Sequence, residues 1–359
     1  MKIYNCDICG EMVYFENDHC VSCGSPLGYL PLLDNMSSME SSDGFVWKAL
    51  APSAHETNFK KCQNYWQQGI CNWMVPITDP NTFCLSCRLN KFIPDPSNPQ
   101  NKHYWHRLEI AKRRLVYSLL QLDLPLHNKA DDPENGLEFC FLASKKNPQI
   151  EETEEVLTGY EHGTITINIA EANDAVREKM RLDMNERYRT LLGHFRHEIG
   201  HYYWWLLVHR NADLLERFRN LFGDERVAYE EALQKYYAGG APIDWQNRYV
   251  SAYASAHPWE DWAESWAHYL HMFDTLETAG AWGMIVKFIK GKQRQSIHLE
   301  HRLQTFEEMR NQWVYLSCAL NSLNRSMGMT DVYPFVWTET IIEKLRFIQQ
   351  VIIQSAGEV

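Results

Sequence analysis

From residue 104 onward, apolar positions recur at helical spacing. In YWHRLEIAKRRLVYSLLQL (104–122), Leu108, Leu115, Leu119 and Leu122 share a face, which predicts a helix. Pro125 and the polar run HNKADDPENG (127–136) end it. LEFCFLA (137–143) and GTITINIA (163–170) read as strands, the second with Ile165, Ile167 and Ile169 alternating. From Glu171 nearly everything reads as helix, broken at Gly239, Gly240 and Pro242 and around Gly291. The first hundred residues lack such a period. They carry CDICG and CVSCG in residues 1–30, a Ser/Met/Asp-rich stretch at 31–44 that reads as a linker, and a second cysteine cluster. IPDPSNPQN (93–101), with three prolines, breaks the chain before the helical part. The expected fold class is α+β, with a cysteine-ligated region over 1–100 and a mostly helical domain with a small sheet over 101–359.

Two of the predicted helices carry chemistry. Leu191, Phe195, Ile199, Tyr202 and Leu206 form one apolar stripe, while His194, His197, Glu198 and His201 lie together on another side. Gly193 and Gly200 share a third side, where a neighbouring backbone can come close. Flanked by Trp204, Trp205 and Val208, this helix is expected to be buried, so its polar side needs a partner. His197-Glu198-Ile199-Gly200-His201 spells HExxH: imidazoles at i and i+4 reach one ion, and the glutamate beside them can take a proton from a metal-activated water.

Such a site needs a third protein ligand and an open position. PWEDWAESWAHYLHMF (258–273) is the candidate source, with Pro258 suited to the first helical position. Trp259, Trp262, Trp266, Leu270 and Phe273 make its apolar face; Glu260, Glu264, His268 and His271 share the opposite stripe. Acidic groups in a first turn, Glu260 and Asp261, have a sufficient reason in the helix dipole. Glu264, a turn further in, does not, and is the preferred ligand, with Glu260 second. His268 is a candidate for a hydrogen bond to a liganding residue, and Tyr253 and His257 for stabilising an oxyanion. The strand GTITINIA is a candidate edge for an extended peptide.

Charge narrows the partners. The net charge is −11, and residues 1–103 hold seven Lys/Arg against ten Asp/Glu, so no basic face is expected. Nucleic acid and anionic membrane are therefore not expected as main partners. The apolar run at 202–208 is far short of the ~20 residues that span a bilayer. The opening MKIYNCDICGEMVYFEN has no charged segment followed by an apolar one, so the expected location is cytoplasmic.

In that setting paired CxxC units read as metal sites. Cys6, Cys9, Cys20 and Cys23 have the spacing of a closed structural zinc site, each pair followed by a turn-permitting glycine. Cys62, Cys71, Cys84 and Cys87 form a looser second set. Neither leaves a position for substrate; both are expected to hold together a region without a hydrophobic core of its own. Docking a protein partner is the alternative role. Cys140 and Cys318 stand alone and are expected to be buried thiols.

HEIGH followed by a distant helical glutamate resembles the gluzincin metallopeptidases, and ESWA (264–267) is similar to the signature around their third ligand. A second register of EDWAESWA chooses Glu260. More closely, the chain resembles bacterial zinc-binding metallopeptidases with an N-terminal zinc ribbon. CDICG, CVSCG, FCLSCRLN, AKRRLVYSLL, TITINIAEA, YRTLLGHFRHEIGHYYW, LFGDER and YVSAYASAHPWEDWAESWAHYLH carry that resemblance to about residue 280. It implies a zinc-ribbon region, a zincin-like domain, three Zn2+ ions (one catalytic, two structural) and a peptide or protein substrate. A zinc hydrolase of a non-peptide amide and a non-catalytic ribbon adaptor are the rival functions.

Overall fold

The structure, a computed structural model, describes residues 2–54, 57–146, 153–154, 156–184, 186–291, 293–299 and 305–357. The chain forms two compact units: Met1–Tyr117 with Asn128–Thr158 and Thr166–Asn173, and Ser118–His127 with Gly159–Ile165 and Asp174–Val359. The first division between these units falls inside a long helix, between Tyr117 and Ser118.

In the first unit β1 (Tyr4–Asn5) pairs with β2 (Met12–Val13) beside the first cysteine knuckle. Strands β3 (Leu27–Leu30), β4 (Asn35–Glu40), β5 (Trp47–Ala49), β6 (Asn58–Lys61) and β7 (Met74–Pro76) follow as an antiparallel meander. A bridge from Tyr29 to Trp73 brings its end back to its beginning. The presumed linker at 31–44 is thus largely a strand. Met36 and Met39 are buried, and so are Ser37 and Ser38. Those serines avoid an unpaired burial because Asp7 accepts from the Ser37 hydroxyl and, at 2.6 Å, from the Ser38 amide. The unit also has a core of its own, contrary to expectation: Phe15, Tyr29, Trp73 and Tyr117 pack ring against ring, with centroids 4.8–6.3 Å apart.

After α1 (Gln63–Trp66) and β8 (Asn90–Phe92), α2 (Pro99–Gln121) begins at the last proline of the breaker segment. Its first part belongs to this unit for a physical reason. Arg113 donates to the Ile70 carbonyl at 2.6 Å, Arg114 pairs with Glu16, and Lys112, fully buried, pairs with Glu109. The expected strand at 137–143 is β9 (Glu138–Leu142), parallel to β8; β10 (Lys145–Lys146) and β11 (Thr153–Glu154) make a short pair.

β12 (Gly159–Glu161) and β13 (Thr164–Asn168) complete the sheet order β12-β13-β9-β8. Strand β13, the GTITINIA segment, is paired on both sides and cannot be the edge that receives a peptide. The second unit is otherwise α3 (Asp174–Asp183), α4 (Leu191–Tyr203), α5 (Ala212–Phe222), α6 (Tyr229–Gly239), α7 (Pro258–Ala281), a hairpin β14 (Ile285–Lys290) and β15 (Gln293–His298), α8 (Phe306–Ser326) and α9 (Glu339–Ala356). The hairpin overturns the expectation of helix there. Ile285, Val286, Phe288 and Ile289 favour a strand, and Gly291, at φ +65°, makes the turn. Cys140 is buried, whereas Cys318 is exposed on α8. No helix among the described residues is long and apolar enough to cross a membrane.

Two contacts fix α7 in the second unit. A Cβ placed on Gly200 of α4 would lie 3.0 Å from the Ala263 Cα and 3.2 Å from the Trp266 Cβ, and Trp262 donates to the Gly200 carbonyl at 2.9 Å. On its far side Asp261 is fully buried against Lys344 of α9, 2.5 Å away, and the same ammonium donates to the Arg248 carbonyl. Burial pushes the Asp261 carboxyl up to about 7 against the pull of Lys344. Gly200→Ala is expected to destabilise the chain by about 1–3 kcal/mol in urea unfolding, because backbone cannot yield as a side chain can. Lys344→Met, which strands Asp261, is expected to cost about 3–5 kcal/mol, with much of that recovered on adding Asp261→Asn.

Candidate metal centre

Helix α4 starts where Thr190 accepts from the Gly193 amide, and it carries its polar side inward: His197 and Glu198 are buried and His201 half-buried. The Nε2 atoms of His197 and His201 stand 3.3 Å apart. Glu260 of α7 closes the triangle, its Oε2 3.0 Å from His197 Nε2 and its Oε1 3.8 Å from His201 Nε2. Ligand nitrogens about 2.0–2.1 Å from a tetrahedral zinc are ~3.3–3.4 Å apart, so the two imidazoles are already at ligand spacing. Glu260 Oε2 is buried, and although it is close to His197 it lies out of line and makes no hydrogen bond among the described residues. A buried carboxylate oxygen left in this way, facing two ring nitrogens, suits a cation.

Glu264 lies on the other side of the same ring. It is 2.8 Å from His197 Nδ1, and its second oxygen accepts from the Ser251 hydroxyl at 2.5 Å. By position, Glu260 rather than the preferred Glu264 is the carboxylate beside the two Nε2 atoms. Glu260, in the first turn of α7, meets the Nε2 atoms; Glu264, one turn on, meets the nitrogen that faces away from them. Tyr229 orients Glu260 by donating to Oε1 at 2.5 Å.

The electrostatics follow from this geometry. Burial opposes charge on His197, but the carboxylates of Glu260 and Glu264 outweigh it and raise its pKa well above the ordinary value. His201 is lowered, chiefly by burial. Glu260 is held down to about 2 because the two imidazoles more than offset its burial. Glu198 is also lowered: burial works against its charge, and His194, whose Nε2 is 3.2 Å from Glu198 Oε1, works for it.

The remaining candidates divide. Tyr253 reaches the site, its ring 6.0 Å from that of His197, and burial with the nearby Glu260 keeps its hydroxyl protonated. His257 does not. It caps α7, its Nδ1 accepting from the Trp259 amide at 3.1 Å and its Nε2 facing the Val227 carbonyl at 3.1 Å, so neither nitrogen is left for an oxyanion. His268 points its Nδ1 at the Tyr333 hydroxyl, 2.7 Å away, and packs on Phe335. Sequence reasoning missed Tyr229, Ser251 and Tyr160, whose ring stacks 6.2 Å from His201. They come from a helix start, a loop and a strand, with no periodic signal to mark them.

In the first unit the cysteines assemble as two groups of four, each with its sulfurs within 4.8 Å of one another, and no disulfide joins them. Sulfurs about 2.3 Å from zinc lie ~3.8 Å apart in a tetrahedron. The observed Cys6–Cys23, Cys9–Cys20 and Cys71–Cys84 separations are 3.7, 3.6 and 3.8 Å. Burial opposes the Cys6 thiolate, yet the Ser25 and Ser38 hydroxyls and neighbouring amides hold its pKa at about 5. In the second group all four cysteines are buried, and the buried Arg113 is charge-coupled to Cys71, Cys84 and Cys87. The His197, His201 and Glu260 group differs in having three donors.

A family described as "Putative zinc-binding metallo-peptidase" matches residues 101–351, and a zinc-ribbon domain matches residues 3–98. The chain belongs to this metallopeptidase family. Proteins of Mycobacterium bovis and Mycobacterium tuberculosis, both described as uncharacterized, are 40% identical over 358 residues, covering 100% of this chain and 97% of theirs. No solved structure matches it.

Zinc is thus the metal of the family and of the ribbon, and the two cysteine groups differ in access: Cys9 and Cys23 are exposed, whereas the second group is closed. A chelator with a colorimetric readout is therefore expected to draw zinc from the first cysteine group before the second. Faster labelling of Cys62 or Cys71 than of Cys9 during release would contradict this.

Proposed function

We propose that the protein is a zinc-dependent peptidase of the HExxH, gluzincin-like kind, with His197, His201 and Glu260 as metal ligands and Glu198 as the general base. The observation that carries this reading is the convergence of two Nε2 atoms and one carboxylate, with Glu198 one residue from the first imidazole. Glu264 acts behind His197, accepting its Nδ1–H and so fixing the tautomer that turns Nε2 inward. Bound zinc supplies Lewis acidity, making water a nucleophile near neutral pH and polarising the carbonyl.

The residues do the rest. Glu198 takes the proton as the water oxygen bonds to the peptide carbon, and returns it to the nitrogen as the C–N bond breaks. Tyr253, kept protonated, offers its hydroxyl to the oxygen that gains charge. The ribbons serve as closed structural sites, giving one catalytic and two structural Zn2+ per chain. Eight cysteines gathered as zinc sites, with no cysteine in a disulfide, suit a reducing compartment, and we place the protein in the cytoplasm.

The test is zinc content together with cleavage of a pool of fluorescence-quenched peptides. Wild type is expected to hold three zinc ions, and Glu260→Ala two. Glu264→Ala keeps the third but binds it roughly 10–100-fold more weakly. Glu198→Gln keeps all three and loses about 10²–10⁴-fold in kcat. A zinc-replete wild type that cleaves no peptide overturns the reading, as does an active Glu198→Gln.

A further inference from the structure

We propose that His194 is a positioning residue for Glu198, its Nε2–H holding one carboxylate oxygen so that the other faces the reacting water. The inference rests on the peptidase reading above. His194 and Glu198 are i and i+4 on α4, with His194 Nε2 3.2 Å from Glu198 Oε1. The His194 side chain is 18% exposed and that of Glu198 6%, so the imidazole bridges from the solvent side to a shielded carboxylate. Its ring stands edge-on to that of His197, with centroids 6.4 Å apart at 60°.

The need for such a hold follows from the site. Glu198 adjoins His197, and its side chain has three rotatable bonds. A carboxylate free to swing could itself reach the ion and close the corner that a hydrolytic site must keep for water. An N–H on the opposite side removes that freedom. Glu260 is held in the same way by Tyr229 on one oxygen, while Glu264 has both oxygens engaged, by Ser251 and by His197 Nδ1.

The experiment uses the zinc-loaded full chain with His194→Leu and His194→Gln; the glutamine Nε2 lies as many bonds from Cα as the histidine Nε2 and keeps an N–H. Zinc per chain, kcat and KM on the quenched peptides, and calorimetric affinity for a peptide hydroxamate, whose hydroxyl meets the base carboxylate, are measured for each. His194→Leu is expected to lose roughly 10–100-fold in kcat and about tenfold in hydroxamate affinity, with zinc content and KM within about twofold, while His194→Gln recovers to within about threefold of wild type. Unchanged kcat and hydroxamate affinity in His194→Leu overturn the proposal, and so does a His194→Gln as impaired as His194→Leu. Glu198→Gln run in parallel separates the two readings. If it is inactive while His194→Leu is unimpaired, only the role of His194 falls; if it is active, the assignment of Glu198 as base falls first.

Discussion

The second unit depends on how closely α4 and α7 approach at Gly200. With no side chain there, the backbone of Ala263 and the stem of Trp266 sit directly on the helix, and the Trp262 indole ties the Gly200 carbonyl to α7. That contact sets the level at which the two helices face each other. A turn of helix advances 5.4 Å, so a shift of one turn would exchange Glu260 for Glu264 opposite the Nε2 atoms. Close packing, rather than any property of the glutamates, decides which one meets the Nε2 side of His197.

This also explains what the sequence could and could not reveal. The HExxH spacing, the two CxxC pairs and the long helices are local patterns, and the structure has the imidazoles and thiols gathered accordingly. The level of α7 against α4 is not local. Helical periodicity puts Glu260 and Glu264 on one stripe but does not say which rung meets His197. The dipole argument favoured Glu264 because a first-turn acid already has a reason to be there, yet Glu260 is the carboxylate beside the two Nε2 atoms. His257 misled for a related reason: a histidine before a Pro-started helix reads as chemistry or as a cap, and its two engaged nitrogens make it a cap.

The strand at 35–40 shows a different limit. Ser, Met and Asp in a short run have the composition of a linker, and only partners remote in sequence make it a strand. Asp7 satisfies the serines, and Ser38 in turn lies 3.3 Å from Cys6 Sγ. The polar residues that disguised the segment are those that steady the first cysteine group. The AKRR run of α2 is similar. Read alone it is a basic run, but Lys112 and Arg113 are buried, one against Glu109 and the other charge-coupled to Cys71, Cys84 and Cys87.

Zinc has no preferred geometry from its d electrons, so its role in each place is set by what the protein puts round it. Four sulfurs at tetrahedral separations leave no corner, and such a site can only fasten chain to chain. Two imidazoles and one carboxylate leave a corner. Glu264 holds His197 from behind and is itself held by Ser251, while Tyr229 holds Glu260. On the proposed reading the same ion serves structure in one unit and chemistry in the other, and the difference lies in the three donors of one group against the four of the others.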